Sequence, residues 1–177
     1  MKKLLIGIIV YLVFMVLYFL QSNFFSWFTI AKVAPNTFVM LILFLGLFAS
    51  GFFALIMGLI IGLSLDLIIG KSIGICAIML CLVGILAGYI DKNFSKDSKI
   101  TILIMVIGIT IFYEVGYYIF NIIRLDMVVE IKPFIRILAI EVLYNCILTI
   151  ILYKPIIKAG YKIESYFKQK NILTRYF

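Results

Sequence analysis

Residues 58–88 read GLIIGLSLDLIIGKSIGICAIMLCLVGILAG, and the rest of the chain is organised around them. Two apolar runs meet at Gly70-Lys71-Ser72, and one acid, Asp66, lies inside the first. Glycines recur four residues apart, as Gly58 and Gly62, Gly70 and Gly74, Gly84 and Gly88. On a helix that spacing clears one face of side chains and lets a neighbouring backbone come close. The same step runs back through Ala54, Ser50 and Gly46, and forward from Gly62 it lands on Asp66. The pattern predicts two packed helices, with Asp66 beside a seam of small residues and turned away from lipid. An acid at the centre of a membrane helix costs roughly 2.5–3.5 kcal/mol on insertion scales, so this one needs a partner helix or a task.

Composition sets the class. Hydrophobic residues make up 66% of the 177 and the mean hydropathy is +1.24, more apolar surface than a soluble core of this size can hide. Sixteen Lys and Arg against eight Asp and Glu leave a net charge of +8. In a membrane protein that excess points to cytoplasmic loops and anionic headgroups, not nucleic acid. Cys76, Cys81 and Cys146 all fall in apolar runs, as small buried hydrophobes do.

Outward from the central stretch, the hydropathy pattern predicts an all-α membrane protein of six spans. They cover about 4–20, 37–48, 52–69, 72–90, 100–122 and 134–153. The first is expected to be a retained span, since its apolar run is long and no small-residue cleavage site follows. The second is shorter than the roughly 20 residues of a straight crossing, and a tight hairpin at Ala49-Ser50-Gly51 is one way to seat it. The expected division is a transmembrane unit over 1–155 and a basic amphipathic cytoplasmic tail over 156–177. In that tail Ile156, Gly160, Ile163 and Phe167 mark one face, with Lys158, Lys162, Ser165, Lys168 and Gln169 opposite. It either lies on an anionic leaflet or docks a partner. With both termini cytoplasmic, 11 basic residues fall inside and 5 outside, which favours that orientation.

In that topology Asp66, Glu114 and Glu141 share the outer half of the membrane, with Lys71 and Arg136 near enough to reach down to them. The five are expected to form an intramembrane polar cluster. It either ties helices together or serves as a proton relay or polar pocket open to the outside. Motifs for catalysis, metals or cofactors are lacking: the sequence has no histidine, no GxSxG elbow and no phosphate-binding loop. No enzyme is expected.

Pro35-Asn36 opening the second span, Gly58–Gly62–Asp66, the turn Gly70-Lys71-Ser72 with Ile73-Gly74, and LVGILAGY ending at Tyr89 resemble the MreD family of the bacterial rod-shape system. The resemblance is strongest over 35–90. It implies a six-helix architecture similar to the substrate-binding subunits of vitamin-uptake (energy-coupling factor) transporters. It also implies a non-catalytic scaffold in the inner membrane that binds MreC. Through MreC it would link MreB filaments to the elongation synthases, RodA and its transpeptidase, and so support lateral peptidoglycan synthesis. The alternative is a transporter subunit holding a small solute near Asp66, Glu114 and Glu141.

Overall fold

The computed structural model describes residues 2–23, 29, 33–69, 74–94, 96, 98–125 and 130–167. They form six helices: α1 (Lys2–Asn23), α2 (Thr37–Phe48), α3 (Gly51–Ile69), α4 (Ile75–Asn93), α5 (Lys99–Leu125) and α6 (Ile131–Phe167). Five are long and apolar enough to cross a membrane, and α2 is a shorter apolar helix. Its 12 residues rise about 18 Å, well short of a bilayer's hydrocarbon core of about 30 Å.

Helix α2 is short and lies at the centre of the bundle. Ten of its residues are buried, and Val39, Ile42, Leu43, Leu47 and Phe48 have almost no exposed surface. A helix that is apolar all round suits either a core or lipid, and here the other helices enclose it. The chain leaves it through a tight turn: Ala49 N–H donates to Leu45 O at 2.8 Å, and Ser50 Oγ accepts from Phe53 N–H at 3.2 Å to start α3.

Helices α3 and α4 meet backbone to backbone. A Cβ on Gly58 would lie 2.5 Å from Leu80 O, and one on Gly84 would lie 2.7 Å from the Ala54 carbonyl carbon. At Gly62 it would run into the Ala77 Cα, and at Gly88 into the Gly51 Cα. Gly46 brings α2 equally close to Ala87. The repeat of small residues is thus a contact within this chain. Gly74 differs from the seam glycines: its φ is +101° and a Cβ there would meet nothing within 4 Å. It makes the left-handed turn into α4 and takes no part in the seam. Gly70 and Lys71 lie outside the described residues.

The helices run alternately up and down. One end gathers the start of α1, the α2–α3 turn, Lys96 between α4 and α5, and the last turns of α6. There the Phe53 and Phe167 rings pack with centroids 4.8 Å apart, and Lys3 Nζ lies 5.5 Å from the Phe167 centroid. Helix α6 has no break at Pro155, where a boundary was expected, although proline removes one hydrogen bond. Its 37 residues span about 55 Å. The apolar face beyond Pro155 packs on the bundle, with Gly160 against the Phe48 ring and Tyr161 edge-on to it. Residues 168–177 of the tail lie outside the described residues.

Candidate functional site

Polar side chains inside the bundle fall into three groups. The first is the start of α2. Asn36 caps it, its Oδ1 accepting from Val39 N–H at 3.3 Å. Its own backbone N–H donates to Asn145 Oδ1 at 2.9 Å, and its side-chain amide donates to Glu114 Oε1 at 3.3 Å. Asn145 in turn donates to Thr110 Oγ1 at 3.1 Å, and Thr149 Oγ1 donates to Asn145 O at 2.7 Å. Glu114 and Glu141 lie close enough for their carboxyls to interact electrostatically. Glu141 Oε1 is buried with no hydrogen-bond partner among the described residues. The network joins α2, α5 and α6.

Asp66 belongs to a second group. Its Oδ2 accepts from Gly74 N–H at 2.8 Å and Ala77 N–H at 3.1 Å. Its Oδ1 accepts from Cys76 N–H at 3.1 Å. These are the donors that the first turn of α4 cannot satisfy by itself, and the helix dipole favours an anion there. Asp66 is 2% exposed, so the acid is spent on the α3–α4 junction. The expected five-residue cluster therefore divides. Glu114 and Glu141 come together; Asp66 serves α4; Arg136 is exposed and pairs with none of the three acids among the described residues. The physical reason is local: the turn at Gly74 brings three backbone donors to Asp66, while Lys71 lies outside the described residues.

The third group is at the opposite end. Lys96 Nζ donates to Leu47 O at 2.9 Å, in the last turn of α2. It also pairs with Asp91 at 3.0 Å and Glu164 at 2.7 Å, and it lies over the Phe48 ring at 4.9 Å. Polar side chains thus hold both ends of α2. Burial by itself would lower the Lys96 pKa, but the Glu164 and Asp91 hydrogen bonds and charges outweigh it and raise the ammonium above its ordinary value. A raised lysine stabilises fully below the unfolded value of about 10.5, and that contribution fades as pH rises through the folded value. Lys96→Met is expected to cost about 2 kcal/mol, below the ~3–5 of a fully buried pair, because the site is partly solvated. Thermal melts in detergent check this: the gap between wild type and variant should be widest near neutral pH and close above about pH 10.5.

Sequence reading missed Asn36, Thr110 and Thr149 as members of the first network. A signal was available: Thr110 and Glu114 are one helical turn apart, as are Glu141, Asn145 and Thr149. Polar residues at that spacing in an apolar helix share one face. Among the described residues no group of His, Cys, Asp or Glu is arranged to hold a metal.

A family model described as rod shape-determining protein MreD matches residues 1–160. No curated protein and no solved structure matches the chain.

Proposed function

We propose that this chain, which belongs to the rod shape-determining MreD family, is a non-catalytic membrane scaffold of the wall-elongation machinery that binds MreC directly. Through MreC it would connect MreB to RodA and its transpeptidase. Family membership and five long apolar helices make the chain a multi-pass membrane protein with a role in determining rod shape. The observation that carries the scaffold reading is the use of the buried polar groups. Asp66 accepts three backbone N–H groups, and Asn36, Glu114, Asn145 and Thr110 bind one another across three helices. Such groups build a rigid body and leave few free hands for solute chemistry. The apolar cavity between α1, α2 and α6 is lined by none of the three acids. A six-helix architecture like that of vitamin-uptake subunits belongs to the same proposal.

Co-purification in detergent tests this function. The chain should retain MreC with no solute added. Capture of an energy-coupling ATPase module together with a small molecule, and no MreC, would replace the scaffold by a transporter subunit.

The proposed orientation puts both termini in the cytoplasm. In a background lacking the three native cysteines, Lys92→Cys should resist an impermeant thiol reagent in intact cells, and Glu130→Cys should react. Both positions are exposed on the fold, so reversed labelling would invert the topology.

A further inference from the structure

Helices α1 and α6 are separated by a groove of about 440 Å³ whose floor is α2. Val13 and Leu17 form part of one wall, Leu152 and Ile156 part of the other, and Met40 and Phe44 part of the floor. Thr37 is the one hydroxyl among the lining residues, and its Oγ1 already donates to Gln21. The groove therefore offers no polar partner to a solute. It opens sideways between two membrane-crossing helices, where the surrounding solvent is hydrocarbon.

We propose that this groove holds one acyl chain of an anionic phospholipid, with the headgroup on Lys3 and Lys162. Three observations favour that occupant. The first is capacity: an apolar cavity of about 150 Å³ takes one benzene, so this one has room for roughly eighteen carbons, about one acyl chain. The second is charge at one mouth. Lys3, Val10 and Leu17 are seven residues apart and share a stripe of α1, so the stripe that lines the groove ends in a cation, whose Nζ lies over the Phe167 ring at the end of α6. On α6, Lys162 is exposed and adjoins Ile163, which lines the groove. The third is wall texture. Close helix association in lipid relies on small residues that let backbones approach, whereas the α1 wall is all branched and the floor carries Phe44 and Phe48, with Ala159 and Gly160 the small residues of the α6 wall. A flexible chain fills such a surface better than a second helix about 10 Å across.

The test uses the full chain in detergent with an equimolar mixture of phosphatidylglycerol and phosphatidylcholine carrying the same acyl chains. Native mass spectrometry counts what is retained. Wild type should keep one phospholipid and prefer phosphatidylglycerol at least about fivefold, the effect of one engaged cation. Lys3→Gln with Lys162→Gln should keep a lipid but bring the ratio near one. Ala159→Phe, which fills the groove from α6, should cut retention about tenfold, and Val13→Phe should do the same from α1. Ile151→Phe, on an exposed part of α6 outside the lining, should change nothing. The wild-type competition needs no variant to fold. No retained lipid, equal retention of both lipids, or a second protein chain in the lipid's place would overturn the proposal.

Discussion

Gly62→Leu is expected to remove the folded protein from the membrane, while Leu59→Ile, three residues away and half exposed, leaves its abundance unchanged. The difference comes from what each side chain meets. Position 59 faces outward, where a branched side chain replaces another of the same volume. At position 62 even a Cβ would run into the Ala77 Cα, with Ala77 N at 2.7 Å and the Cys76 carbonyl carbon at 2.8 Å. All three are backbone atoms of α4, so no rotamer change relieves the contact. Overpacking a core costs about 1–3 kcal/mol when side chains can shift, and backbone opposition puts this case at the top of that range or beyond. Separating α3 from α4 also pulls Asp66 away from its donors, so the two losses compound. Membrane abundance and detergent melting of the two variants decide the matter. Equal behaviour would mean that this face meets lipid.

Asp66→Leu should be nearly as damaging, and Asp66→Asn should fall between it and wild type. Leucine leaves the Gly74, Cys76 and Ala77 N–H groups without their acceptor, at about 1–3 kcal/mol for each donor left buried. The amide is less benign than its shape suggests. Both carboxylate oxygens accept backbone N–H bonds, so either flip of an asparagine points its NH2 at a donor. One bond is lost, and the favourable charge at the helix N-terminus goes with it, about 1–2 kcal/mol together. The expected order of melting temperature is wild type, then Asn, then Leu, with MreC retention following stability. An asparagine variant as stable as wild type would show that three-donor acceptance is not what Asp66 is for. Normal stability and normal MreC retention in misshapen cells would instead point to an acid that must titrate.

Much of this was legible in the residues. Glycine spacing located the α3–α4 contact because small residues four apart can mark only one face of a helix. The short run at 37–48 was visible as short, but its place at the centre was not. An all-apolar helix has no polar face to orient it, and whether it faces lipid or protein depends on its neighbours. Glu114 and Glu141 could be matched by depth once the helices were counted. Asp66 was grouped with them by the same reasoning, and there depth misled. Its partners are backbone donors exposed by the left-handed turn at Gly74, which carry no side-chain signature. Lys96 carries no motif in the sequence, and only the approach of Leu47 O and Glu164 gives it a structural task.

The fastening of α2 has a consequence for how the protein is made. Asp66 finds its donors 8 to 11 residues away, so the α3–α4 hairpin can close as soon as it leaves the insertion machinery. Asn36 must wait for Glu114 and Asn145, which are 78 and 109 residues further on. At 5–20 residues per second of synthesis, the last of these partners arrives roughly 5–20 s later. Throughout that interval a helix too short to span the bilayer has its starting end tied to α1 through Thr37 and Gln21 but not yet to α5 and α6, with the α3–α4 hairpin beside it. Biogenesis therefore runs from the middle outward: the hairpin first, α2 held loosely against it, and the bundle locked when α6 is delivered. Chains truncated before residue 141 should be taken up by membrane proteases far faster than the full chain, although every segment they contain is apolar.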